Sequence, residues 1–272
     1  MAELDNTIRV GSENDKVRQI KHLFLSVAVI IVLCIIWYFA AHIIDQETIL
    51  PTFENTWDEF IKAWTNTRTV NNLLLTMWRV AVGVIYGVVL GTIFGLIMGY
   101  SDKALQALSP IINSIRQVPI MAWVPVSIIW FGIGDGPTIF LIFMSAVFPL
   151  IINVIAGVCD IDKNYFNAAR SMGANTLAIF KDVVIPGSLP SFITGVRLAF
   201  GGGWMSVICA EFIATSSGFG YLMIEAQERI QTPKLYALMI MSAIVGYAID
   251  QIIRVIERRV TSWRFKDGKA TN

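Results

Sequence analysis

Four charged side chains interrupt long apolar stretches of this sequence, and they are the first candidates for chemistry. Arg79 stands alone in the run Asn72 to Tyr100, Arg197 and Glu211 lie between Leu189 and Ala214, and Asp250 lies near the end of Leu235 to Ile253. A charge in apolar surroundings needs a partner, a polar cavity or a route to water. The motifs that usually signal catalysis are missing. There is no HExxH, no GxSxG and no GxxxxGK[ST], and the only histidines are His22 and His42. Cys34, Cys159 and Cys209 lie in apolar runs without CxxC spacing, so they read as small buried hydrophobes and not as a metal site. No catalytic residue, metal site or phosphate cradle is expected in this chain, which therefore reads as a non-enzyme.

The elements that must position these charges follow from composition. Of 272 residues, 55% are hydrophobic and 15% charged, with mean hydropathy +0.63. That excludes a cytosolic globular enzyme, and a net charge of +1 argues against nucleic acid. A bilayer core takes roughly 20 apolar residues of helix to cross. Six windows qualify: Leu23–Ala41, Asn72–Tyr100, Gln117–Gly134, Gly136–Cys159, Leu189–Ala214 and Leu235–Ile253. The third contains Pro119 and Pro125. The first reads as a retained span, because it is longer than a signal peptide's apolar core and no small-x-small site follows Ala40-Ala41-His42. With the N-terminus inside, fifteen Lys and Arg fall on inner segments and four (Lys62, Arg68, Arg229, Lys234) on outer ones. Both termini are thus expected in the cytoplasm. The expected fold is an all-α polytopic bundle of six transmembrane helices. Its parts are an N-terminal segment 1–22, a membrane domain 23–257 that includes an inner loop 160–188, and a tail 258–272.

Several interior features call for an account. Gly83, Gly87, Gly91, Gly95 and Gly99 recur every fourth residue, a groove that lets another helix approach closely. Arg79 and Glu211 fall at comparable depths and are expected to pair. Arg197 is deeper, a candidate either for touching an anionic solute or for holding carbonyls freed where helices break. Gly201-Gly202-Gly203-Trp204 suggests a weakened or unwound helix, while Pro149 and Asn153 suggest a kink beside a polar side chain. These residues are the candidate translocation pathway. On the outer side, Phe53, Trp57, Phe60, Ile61 and Trp64 stand at helical spacing, for a helix lying on the membrane surface or capping the bundle.

The inner loop Asp160 to Ser188 is too patterned for a linker. Tyr165 to Met172 reads as a short helix that Gly173 ends, and a second helix from Asn175 to Val184 runs into Pro186 and the next span. The loop would present a small-residue face around Ala168-Ala169 to a soluble partner.

This loop resembles the EAA coupling motif of ATP-binding-cassette (ABC) importer permeases. It reads Asn167-Ala168-Ala169, Gly173 and Val184-Ile185-Pro186, with Asn167 where that family usually has Glu. Further similar strings are Arg116-Gln117-Val118-Pro119 through Pro125, Trp130-Phe131-Gly132-Ile133-Gly134, Phe148-Pro149, Thr194-Gly195-Val196-Arg197, Ala210-Glu211, and Glu257-Arg258-Arg259 with Trp263. They are similar to the nitrate/sulfonate/taurine/bicarbonate branch. The resemblance implies a type I importer permease in the bacterial inner membrane, surrounded by lipid. It also implies a second permease copy, two ATPase subunits that carry ATP and Mg, and a periplasmic or lipoprotein solute-binding protein. Tyr165, Phe166, Asn167, Ala168, Ala169, Arg170, Gly173 and Ala174 would couple to the ATPase. The rival class, an ion-gradient-driven carrier, predicts internal repeats and paired intramembrane carboxylates, and neither is evident here.

Overall fold

Apolar runs in a bilayer must satisfy their own backbone groups, and in this chain they do so as helices. The computed structural model describes residues 24–25 and 27–260, and no strand occurs among the described residues. The N-terminal segment 1–22 and residues 261–272, with the basic residues counted there and Trp263, lie outside the described residues.

In chain order the helices are α1 (Val27–Ile44), α2 (Phe53–Thr65), α3 (Thr67–Tyr100), α4 (Asp102–Arg116), α5 (Trp123–Phe131) and α6 (Asp135–Cys159). There follow α7 (Lys163–Ser171), α8 (Thr176–Ile179), α9 (Ile185–Ala214), α10 (Phe219–Glu228) and α11 (Thr232–Val260). Five helical runs are long and apolar enough to cross a membrane: α1, α3, α6, the run Thr176–Ala214 and α11.

The span expected at Gln117–Gly134 is not a single helix. Pro119 cannot donate a backbone hydrogen bond and disfavours helix at Val118. So α4 stops at Arg116, one short turn Ile120–Ala122 intervenes, and the chain bends by 82° into α5. Pro125 falls in the first turn of α5, where its missing N–H costs nothing. The nine residues of α5 reach only about 13 Å, under half of a bilayer core. A sixth crossing exists only if the two bent pieces count together.

The glycine row builds the centre. Ideal Cβ atoms on Gly83, Gly87, Gly91, Gly95 and Gly99 would meet Ile142, Ala146, Leu150, Val154 and Val158 in turn, at 2.6–3.0 Å. Both rows advance by four residues, so α3 and α6 run side by side in one direction with their backbones in near contact. On its other flank α6 meets α9, through Gly157 against Ser191 and Gly195 against Leu150 and Asn153.

One further expectation is corrected here. Helix α9 runs unbroken through Gly201-Gly202-Gly203. Gly202 packs against Ser145 of α6, and Gly203 against Val84 of α3 and Ile142 of α6. Gly202 and Gly203 are packing glycines and Gly201 borders open space, so none marks a point of unwinding. The second loop helix runs on into Pro186 and the next span, as its sequence indicates. A wider π turn, Phe180–Val184, carries α8 into α9 and places Pro186 in the first turn of α9.

At the end of the bundle opposite α7, helix α2 packs with Thr56 and Ala63 buried while Trp57, Ile61 and Trp64 stay exposed. It therefore caps the bundle with one face and leaves an apolar stripe on the other. Trp37 fixes its entry by donating Nε1–H to the Pro51 carbonyl (3.1 Å) and meeting Phe53 edge-on.

Candidate functional site

The α7–α8 loop owes its shape to local chemistry. Asp162 caps α7 by accepting the Asn164 N–H (2.8 Å), and Asn175 caps α8 by accepting from Ala178 (2.8 Å). Between them Gly173 sits at φ +81°. Its N–H donates to the Arg170 carbonyl (3.0 Å) and that of Ala174 to Ala169 (3.0 Å), a complete Schellman cap. Phe166, Ala169 and Ala174 turn inward onto Leu150, Val154, Val158, Ile179 and Val184. Tyr165, Asn167, Ala168, Arg170 and Gly173 face out. So do Met172 (88% exposed) and Leu177 (76%), which the sequence reading passed over as ordinary apolar residues. The outward face is thus bulky and apolar as well as small, a surface in want of a protein partner.

Substituting Gly173 tests this cap. A Cβ there meets nothing within 4 Å, so the whole cost comes from the left-handed backbone. Gly173→Ala is expected to destabilise the loop by about 1–2 kcal/mol, with Asn milder. Hydrogen exchange of the amides in 163–179 should quicken in the order Gly, Asn, Ala.

Two of the cavities beside α9 hold the expected pathway residues. One, of about 730 Å³, lies at the α4–α5 break and is lined by Arg116, Trp123, Ser145, Pro149, Asn153 and Gly202 among others. The other, of about 830 Å³, lies between α9 and α11 and is lined by Arg197, Gly201, Trp204, Tyr247 and Asp250 among others. The expected pathway residues are therefore split between two cavities. Inside α6, Pro149 leaves the Ser145 carbonyl without its helical donor, and Asn153 donates its side-chain amide back to the Pro149 carbonyl (2.8 Å).

Comparison with known proteins decides the family. Residues 87–262 match the family described as binding-protein-dependent transport system inner membrane component. A putative aliphatic sulfonates transport permease protein of Escherichia coli is 36% identical over 241 residues, which is 88% of this chain and 90% of that one. The taurine transport system permease protein of the same organism is 28% identical, covering 89% and 90%. Among solved structures, the inward-facing methionine ABC transporter MetNI superposes with TM-score 0.63 at 20% identity, over 71% of this chain and 95% of that one. The chain belongs to this family. It is an ABC importer permease of the nitrate/sulfonate/taurine branch, a multi-pass inner-membrane protein and a non-enzymatic, channel-forming subunit.

Within this permease Arg79 and Glu211 meet. Arg79 is 1% exposed and does not snorkel; its Nη1 lies 2.6 Å from Glu211 Oε1. The guanidinium also reaches Asp135 through Nε (2.8 Å) and Nη2 (2.6 Å), the Ser217 carbonyl (2.8 Å) and the Ser217 hydroxyl (3.0 Å). Glu211 in turn accepts from the Thr76 hydroxyl (2.8 Å) and the Gly220 N–H (2.8 Å). Helices α3, α6, α9 and α10 are tied together at this point. Asp135 escaped the sequence reading because it lies between spans; its place in the first turn of α6, just after Gly134, was the signal available.

Arg197 departs from expectation. It lines the α9–α11 cavity but holds no freed carbonyl, and its charge is already taken: Nε is 2.7 Å from Asp250 Oδ1 and Nη1 is 3.6 Å from Glu257 Oε2. Asp250 also takes Arg254 (2.8 Å). The partners sit on α11, one turn and two turns apart, a pattern visible in the sequence as Asp250, Arg254 and Glu257.

Proposed function

We propose that this permease forms the membrane pathway of an ATP-driven importer for a small oxyanion, a sulfonate or nitrate. In this reading the α7 end faces the cytoplasm, where two ATPase subunits holding ATP and Mg dock on the α7–α8 loop. A second permease copy completes the pathway, and an external binding protein delivers solute at the α2 end. The relatives that carry sulfonates and taurine support the solute class.

The observation that carries the reading is mechanical. Helix α8 of the docking loop and the cavity wall belong to one continuous helical run, Thr176–Ala214, so a push on α8 reaches the cavity through α9 without an intervening hinge loop. The π turn at Phe180–Val184 lies at the start of that run, and π turns recur at functional positions.

The test is reconstitution in proteoliposomes. Solute uptake should require the ATPase and ATP together with this chain. Replacing Tyr165 and Met172 together by Asp should leave the chain inserted while solute-stimulated ATP hydrolysis falls by about two orders of magnitude, as expected when an exposed apolar anchor is lost. Uptake by the chain alone under an ion gradient, or unchanged coupling in that variant, would overturn the proposal.

A further inference from the structure

Of the two cavities that hold the expected pathway residues, only one suits an anion. In the α9–α11 cavity the cation is already committed: Arg197 is held by Asp250 and Glu257, and the Asp250 carboxylate itself lines the wall. An oxyanion there would compete with fixed carboxylates and face one of them.

The cavity at the α4–α5 break is different. Arg116 is the one charged residue among those lining it, and no carboxylate lines it. Among the described residues Arg116 has no ion pair or hydrogen bond, and the same is true of the Trp123 indole N–H and the Ser145 hydroxyl. The Asn153 amide uses one hydrogen on the Pro149 carbonyl and keeps the other. Gly202 leaves Ser145 open to the cavity, since a Cβ there would stand 3.0 Å from its Oγ. An exposed, uncommitted guanidinium beside several uncommitted neutral donors and apolar lining suits an oxyanion that sheds part of its water on entering. The break at Pro119 that ends α4 is what brings Arg116 to this place.

We propose that this cavity is a transit site for a monovalent oxyanion of the sulfonate or nitrate class. Arg116 balances the charge, and Trp123 and Ser145 donate hydrogen bonds. The proposal rests on the importer reading above and names the site within it. It also moves the anion contact from Arg197, where sequence alone had placed a candidate, to Arg116.

The experiment has two arms. In the full chain with its three cysteines replaced by serine, Ser145→Cys reports the local potential. Its reaction rate is measured with an anionic sulfonatoethyl and a cationic trimethylammonioethyl methanethiosulfonate reagent. The anionic-to-cationic rate ratio should fall about tenfold on Arg116→Gln and be kept in Arg116→Lys. An unchanged ratio overturns the site.

The second arm measures uptake of radiolabelled ethanesulfonate and nitrate by the complete importer. Arg116→Gln should lower uptake about tenfold, with binding-protein-stimulated ATP hydrolysis unchanged and Arg116→Lys restoring most of the loss. Equal uptake in wild type and Arg116→Gln overturns this site and leaves the importer reading standing. Loss of stimulated hydrolysis in Arg116→Gln assigns the residue to coupling and also overturns it. A wild-type importer that moves neither anion overturns the oxyanion reading itself, whatever the labelling rates show.

Discussion

Arg79→Met is expected to cost about 3–5 kcal/mol of stability, the penalty for stranding one member of a buried ion pair. The residue left behind is Glu211, which is fully buried. It keeps only the Thr76 hydroxyl and the Gly220 N–H as donors, and neither brings a charge. Thermal unfolding of the purified permease in detergent should show a lowered midpoint and a lower folded yield. Glu211→Gln should be milder, because Arg79 retains Asp135 and both oxygens of Ser217. The double variant Arg79→Met/Glu211→Gln should recover part of the loss, since no net charge is then left buried beside Gly220. Exchanging the two charges should not rescue, even though they pair. Around Arg79 stand acceptors, the Asp135 carboxylate and the Ser217 carbonyl; around Glu211 stand the Thr76 and Gly220 donors. After the exchange, a carboxylate at position 79 would face acceptors and a guanidinium at position 211 would face donors. Rescue by the swap would show that the surrounding dipoles matter less than the pair itself. Arg79→Lys should fail for a related reason, because a single ammonium cannot reach what the planar fork divides among four oxygens.

How far such a network can be read from sequence depends on which of its members lie on a regular period. The glycine row and the Gly173 cap are local or periodic, so spacing and type were enough to expect them, while the Arg79–Glu211 pairing, across 132 residues, was legible only from the comparable depth of two lone charges. Asp135 was not legible, because hydropathy assigns a residue between two spans to a loop without saying that the loop folds back onto Arg79. The 82° bend was half legible: Pro119 and Pro125 marked the interruption, but an apolar window counts residues and is blind to direction. Arg197 illustrates the other failure. Its partner Asp250 is 53 residues away on another helix, and only tertiary packing brings them within 2.7 Å. Gly201-Gly202-Gly203 misled because glycine weakens a helix in water. In lipid the backbone has no other partner for its hydrogen bonds, and at Gly202 and Gly203 the missing side chains serve close packing instead. Met172 and Leu177 were hidden by the usual association of apolar side chains with a core.

The glycine seam yields the other large effect. At Gly87 an added Cβ would lie 2.7 Å from the Ala146 Cβ and 3.2 Å from the Val147 backbone nitrogen. No flexible side-chain end is available to give way, so α3 and α6 would have to separate. Gly87→Val is expected to cost about 3 kcal/mol and Gly87→Ala somewhat less, in the range for overpacked interiors. Ala146→Gly in the same chain removes the atom that Gly87→Ala collides with. The double variant Gly87→Ala/Ala146→Gly should therefore regain most of the lost thermal midpoint. The same pair also asks whether the seam is fixed or moves during transport. Each glycine receives a different side chain, Ile142, Ala146, Leu150, Val154 or Val158, so a slide of one turn would put Leu150 where only Ala146 fits. The helices α3 and α6 should accordingly travel as one body, with α9 pivoting against them about the Arg79–Glu211 tie. On that account the double variant regains uptake in step with stability. Restored stability with uptake still lost would mean that the seam itself slides, and would shift the moving boundary from α6–α9 to α3–α6.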